Sequence, residues 1–119
     1  MPKVLICDDS MFARHTTRRM LADAGHEVVG EAEDGEDAVR KFRDLRPELL
    51  VIDLVMPRLN GTEAIRRIVA EHPDARAIVC SATGQEQLVN EALEAGARGY
   101  VVKPVQPSRL GEVIRDALR

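Results

Sequence analysis

Short continuous apolar runs alternate with helix-spaced patterns along the whole chain, and no other feature restricts the fold as strongly. Val4-Leu5-Ile6-Cys7, Leu49-Leu50-Val51-Ile52, Ala77-Ile78-Val79-Cys80 and Gly99-Tyr100-Val101-Val102 read as strands covered on both faces. Val28-Val29, flanked by His26, Glu27 and Glu31, marks a shorter strand suited to a sheet edge. Helices are expected between them. The first runs from Ser10, as N-cap, to Ala24, with Gly25 just past its end. The second spans Gly35 to Leu45, with Ala38, Phe42 and Leu45 at helical spacing and Pro47 after the stop. The third runs from Thr62 to about His72 on Ile65, Ile68 and Val69. The fourth covers Gln85 to Ala95 on Leu88, Ala92 and Ala95, with Gly96 as its C′ residue. Pro107 opens the last, which carries Leu110, Val113, Ile114 and Ala117.

The order βαβαβαβαβα implies an α/β, doubly wound parallel sheet with helices on both faces. Right-handed crossovers point every strand the same way. The residues that follow the strands therefore gather along one edge, where such folds bind ligands. A length of 119 residues supports one domain. The net charge of −3 argues against a dedicated nucleic-acid or membrane-surface binder, which needs a basic field. Apolar stretches are too short for membrane insertion. Met-Pro-Lys-Val at the start lacks a signal-peptide layout, so a cytoplasmic location is expected. Cys7 and Cys80 lie in apolar runs without metal-ligand spacing and are expected to be buried thiols.

Asp8-Asp9 ends the first strand, Asp53 the third, Ser81 the fourth, and Lys103, followed by Pro104, the fifth. A single Asp after a strand is ordinarily a cap or turn residue. Three carboxylates, a hydroxyl and an ammonium at corresponding strand ends describe a site. Clustered carboxylates repel, so their joint ionisation requires positive charge. Lys103 supplies one unit and a divalent cation two, which balances the three acids. Oxygen donors without Cys or His favour Mg²⁺, with Mn²⁺ as the alternative, over zinc.

Such a set suits acceptance of a phosphoryl group, whose charge is spread over three outer oxygens. The cation, Lys103, the Ser81 hydroxyl and N–H groups of the loop after Asp53 can each serve one oxygen. Asp53 ends the central strand alone and is the expected nucleophile. Asp8 and Asp9 are adjacent, so their side chains diverge; they suit metal and water positioning.

With these residues in view, the chain resembles the CheY-like receiver domains of two-component response regulators, most closely the stand-alone chemotaxis type. The resemblance rests on Asp8-Asp9, on Asp53 with Met56-Pro57 and Asn60-Gly61 downstream, on Ser81-Ala82 and on Lys103-Pro104. It spans residues 1–119 as one receiver domain. The resemblance implies a five-stranded, flavodoxin-like sheet in the order 2-1-3-4-5. It implies Asp53 as phosphorylation site, Asp9 as direct Mg²⁺ ligand, Asp8 acting largely through water, and the Val55 backbone carbonyl completing the protein's ligands. Lys103 would hold a phosphoryl oxygen, and the bond before Pro104 would be cis.

The implied protein is a signalling switch, not an enzyme acting on free substrates. It would take a phosphoryl group from the phosphohistidine of a sensor histidine kinase and catalyse its own phosphotransfer and dephosphorylation. Ser81 and Tyr100 would be the switch pair: the hydroxyl moves to the phosphate, the following loop shifts, and Tyr100 turns inward. The face of fourth helix, fifth strand and fifth helix would then engage an output protein, the flagellar switch in chemotaxis. A phosphatase is a further implied partner. The strand order also separates Cys7 from Cys80 by two strand spacings, about 9.6 Å, too far for a disulfide.

Three positions depart from the usual pattern: Ser81 stands for the commoner Thr, Val105 for an aromatic, and Val55 is apolar. Met11, Phe12 and Arg14 open the first helix beside the acidic edge, where they would meet the phosphodonor; core packing accounts for Met11 or Phe12 equally well. The arginines at 18, 19, 66 and 67 read as solvated helix faces. Other readings are a receiver excised from a larger regulator, a phosphate sink, and a Mg²⁺-dependent phosphohydrolase. The last needs a cap domain for which 119 residues leave no material. A flavin or dinucleotide binder needs a glycine-rich loop where Asp8-Asp9-Ser10 stands.

Overall fold

A computed structural model describes residues 1–119. The elements are β1 (Lys3–Cys7), α1 (Met11–Asp23), β2 (Glu27–Ala32), α2 (Gly35–Leu45), β3 (Leu49–Ile52), α3 (Gly61–Glu71), β4 (Ala77–Ser81), α4 (Glu86–Ala95), β5 (Gly99–Val102) and α5 (Pro107–Leu118). All strand pairs are parallel, in the order β2-β1-β3-β4-β5. The expected fold class and strand order are those observed. β3 is the centre, with all of its residues buried.

Each strand divides its side chains between two cores, because successive Cβ atoms point to opposite faces. Leu5, Cys7, Leu50, Ile52 and Val79 pack beneath α2, α3 and α4 against Phe42, Ile65, Ile68 and Ala92. Val4, Ile6, Leu49, Val51, Ile78 and Cys80 face the other way, toward Leu21 of α1 and Leu110, Val113 and Ile114 of α5. Cys7 and Cys80 are therefore free thiols on opposite faces of the sheet as well as on different strands. Burial is the main force pushing both thiols well above their ordinary range, so neither is a reactive thiolate near neutral pH.

The helix signals act where the sequence places them, with small shifts. The Ser10 side chain accepts from the Ala13 N–H, Asp34 caps α2 through Asp37 N, and Asn60 caps α3 through Glu63 N. α3 starts at Gly61, one residue before the expected Thr62, because the Asn60 cap is a stronger start signal than the first apolar position. Gln85 is the cap of α4 and not its first residue, and Gly96 is itself the C-cap, at φ 123°. Leu45 departs from its expected core role. It is 41% exposed at the end of α2, and its Cδ1 reaches back over Gly30 on the edge strand.

Gly61 sets how closely α3 approaches the end of β3. A Cβ there would overlap the Asp53 carbonyl and lie 2.9 Å from Leu54 Cα, and both obstacles are backbone. Gly61→Ala is expected to destabilise the fold by roughly 1–3 kcal/mol through overpacking, read as a lower urea midpoint. Unchanged stability would show that the end of β3 yields to α3.

Candidate functional site

The strand ends bring the acidic residues together at the reversal of strand order between β1 and β3, where open α/β sheets bind ligands. One carboxylate oxygen each from Asp8, Asp9 and Asp53 lie within 4.8 Å of one another. Asp8 and Asp53 are buried and Asp9 is exposed. Two unit charges at that spacing repel by roughly 3 kcal/mol at an effective dielectric of about 20, so positive charge is needed nearby. Lys103 provides part of it. Its Nζ donates to Asp8 Oδ2 at 2.8 Å and to Asp53 Oδ2 at 3.2 Å, contacts that span 95 and 50 residues of chain. The peptide bond between Lys103 and Pro104 is cis.

Every other oxygen of the two buried acids has a backbone donor. Asp8 Oδ1 accepts from Ser10 N at 2.9 Å, and Asp53 Oδ1 accepts from Val55 N at 3.3 Å. Burial alone would lower the Lys103 pKa, but the hydrogen bond and charge of Asp8 and the charge of Asp53 outweigh it, and the net direction is up. The donor set fits a hard cation: it is all oxygen, with one exposed and two buried carboxylates. Cys7, the residue before Asp8, donates its thiol to the Asp34 carbonyl at 3.3 Å.

Ser81, 1% exposed, ends β4, and its Oγ has no hydrogen-bond partner. A buried hydroxyl without a partner is costly, and one aimed at a ligand is the usual resolution. Tyr100, the other half of the expected switch pair, is half-buried on β5. Its hydroxyl already donates to the Thr83 carbonyl at 2.7 Å, and its ring packs against the core beneath α2–α4. Burial pushes the phenol pKa up, and the Asp53 charge adds to it. The Val55 side chain is 70% exposed at the mouth of the site.

Two further expectations change. Met11 and Phe12 are 76% and 80% exposed, so neither serves the core. Arg14 is buried, and thus removed from any surface role at the acidic edge. It donates to the Asp8 main-chain carbonyl at 2.6 Å and to Glu31 at 3.0 Å. Sequence reasoning also passed over the pair of Asp34 and Arg58, 2.7 Å apart, which ties the cap of α2 to the loop after Asp53. Arg58 holds a left-handed backbone, φ 66°, in that loop. The Asp34-Gly35 step was readable as a cap; its basic partner, 24 residues away, carried no local signal.

An aspartate-lined edge of a doubly wound sheet with an intruding lysine defines a phosphoacceptor class of site, and comparison with known proteins gives it a family. Residues 4–115 match the response regulator receiver domain, and the chain belongs to that family of phosphoacceptor signalling domains. It is 46% identical over 112 residues to the chemotaxis protein CheY of Thermotoga maritima, covering 94% of this chain and 93% of that protein. It is 40% identical over 119 residues to the chemotaxis protein CheY of Listeria monocytogenes, covering all of both chains. Among solved structures it is similar to a CheX–CheY–BeF3–Mg complex from Borrelia burgdorferi, at TM-score 0.95 and 30% identity, covering 98% of this chain and 89% of that one.

The Lys103 contacts give a pH dependence. The folded-state pKa lies above the unfolded value of about 10.4. The contacts therefore stabilise fully below that value and are lost as pH rises through the raised folded pKa. Urea stability followed above about pH 10 is expected to fall more steeply for the wild type than for Lys103→Gln. Parallel curves would remove Lys103 as the cause.

Proposed function

We propose that the chain is a phosphoacceptor response regulator that receives a phosphoryl group on Asp53 from the phosphohistidine of a sensor histidine kinase and works in chemotaxis. The observation that carries this reading is the convergence of Asp8, Asp9 and Asp53 oxygens within 4.8 Å, with Lys103 Nζ 2.8 Å from Asp8 and 3.2 Å from Asp53. The chemotaxis assignment is supported by the CheY relatives.

Asp9 and Asp53, with the Val55 carbonyl, would hold Mg²⁺ directly, and Asp8 would act through water. The Borrelia relative is a Mg complex and carries BeF3, which favours the same cation here. When bound, Mg²⁺ supplies charge neutralisation at the phosphoryl oxygens. In the transfer, an Asp53 carboxylate oxygen forms a bond to phosphorus as the P–N bond of the phosphohistidine breaks, and the electron pair returns to the imidazole nitrogen. Lys103 stays paired with Asp8 and stabilises one outer oxygen. The orphaned Ser81 hydroxyl stabilises another. Met11 and Phe12, exposed on the first turn of α1, are the apolar contact for the donor. Phe12 shares a groove there with Lys103, Pro104 and Val105. Attack of water on the acyl phosphate returns the free carboxylate and inorganic phosphate.

Because the Tyr100 hydroxyl already grips the Thr83 carbonyl, a pull on Ser81 moves a loop to which the phenol is attached. Phosphate tightens an inward tyrosine by contacts better made in one state than the other, and reshapes the face of α4, β5 and α5 toward an output protein. For the chemotaxis reading that output protein is the flagellar switch; a phosphatase would end the signal.

Two experiments test this. Incubated with a small phosphodonor and Mg²⁺, the wild type is expected to gain one phosphoryl mass, and Asp53→Asn or excess chelator to abolish the gain. Equal uptake by Asp53→Asn would remove Asp53 from its role. Tyr100→Ala is expected to phosphorylate normally but to lose the phosphate-dependent change in partner affinity, measured by titration with the output protein. Lost phosphorylation in that variant would contradict the division between chemistry and switch.

A further inference from the structure

Arg14 is a buried charge for which phosphoryl acceptance has no direct use. It lies early in α1 with its side chain 9% exposed, and its guanidinium works in two directions. Nη1 donates to the Asp8 carbonyl at 2.6 Å, and Nε donates to Glu31 Oε1 on β2 at 3.0 Å. Glu33 Oε1 is 4.0 Å from Nη2. Glu31 is held in turn by Arg18, whose Nε donates to Oε2 at 3.1 Å.

The Asp8 carbonyl belongs to the peptide that leads into Asp9. The rest of Asp8 is committed elsewhere. Its N–H donates to the Ala32 carbonyl at 3.1 Å, and its carboxylate takes Ser10 N and Lys103 Nζ. Asp9 is exposed, and the plane of that peptide orients its Cα–Cβ bond, from which the carboxylate reaches the site. The Arg14 fork fixes the plane against β2. Its charge is already answered by Glu31, so the contribution is one of geometry more than of field. A planar guanidinium can grip a carbonyl and a carboxylate at fixed angles together, whereas a lysine ammonium is a point charge on a flexible stem.

We infer that Arg14 is a positioning residue for the divalent-cation site, acting through the Asp8–Asp9 peptide. The inference rests on the reading of Asp8, Asp9 and Asp53 as that site. It is tested by titrating Mg²⁺ into the unphosphorylated full chain and following the amide chemical shifts of residues 8–10 and 53–55, a readout independent of phosphate transfer. Arg14→Lys keeps the charge and loses the fork; it is expected to weaken Mg²⁺ binding roughly 10- to 100-fold, the range for partners that orient metal ligands. Glu31→Gln keeps the guanidinium but loosens its outer anchor, and is expected to shift affinity the same way by less. Arg18→Gln removes the other contact to Glu31 without touching Asp8 or Arg14, and is expected to weaken binding less than Glu31→Gln does. Wild-type affinity in both Arg14→Lys and Glu31→Gln, or an equal loss in Arg18→Gln, would overturn the inference. Absence of Mg²⁺ binding by the wild-type chain would instead overturn the reading of the acidic site beneath it.

Discussion

The Lys103 ammonium, bridging Asp8 and Asp53 from the far end of the chain, is the contact on which the site depends. Two buried carboxylates side by side are tolerable only if charge of opposite sign is held among them. The protein places that charge just past the end of β5, which is separated from β1 by β3 and β4. The long ε-amino stem spans the gap. One cation thus neutralises part of the acidic edge and leaves a remaining demand of two units. That remainder is what makes the edge receptive to a divalent ion and, through it, to a phosphoryl group.

Around this contact the loops are held by main-chain carbonyls and caps, together with apolar packing of Leu54, Met56 and Leu59 after Asp53 and of Val105 after Lys103. Ser10 N and Val55 N fix the orientation of the two buried acids, and Arg14 fixes the peptide between Asp8 and Asp9. The pair of Asp34 and Arg58 joins the start of α2 to the loop after Asp53. The Ser81 hydroxyl, one strand away from Asp53, is buried and has no partner within the protein, which leaves it free to meet a ligand oxygen. The cost of an unpartnered buried hydroxyl is small enough to be carried by a two-layer core and large enough to reward a ligand oxygen.

Much of this was legible in the sequence. The strand runs, the cap at Ser10 and the Pro107 start of α5 lie where the local pattern puts them, because each depends on residues within one turn of itself. The acids and Lys103 were legible for a topological reason: parallel strands joined by right-handed crossovers send all their C-terminal ends to one edge. The misreadings share a cause. Leu45, expected in the core, and Met11 and Phe12, left open between core and surface, are apolar residues at helix ends, where the periodicity that separates core from solvent has too few turns to act. Arg14 looks like a surface arginine until β2 is seen to present Glu31 to it.

The sequence by itself determined the layer architecture, the parallel strand direction and the identity of the residues at the four strand ends. Those follow from periodicity, handedness and order along the chain. Only the tertiary structure decided which groups meet at hydrogen-bonding distance. Among these are Lys103 on two carboxylates rather than one, Tyr100 on the Thr83 carbonyl, Arg14 on the Asp8 carbonyl, and Cys7 on the Asp34 carbonyl. Contacts of that kind depend on rotamers and on the approach of segments tens of residues apart, and no local pattern encodes either.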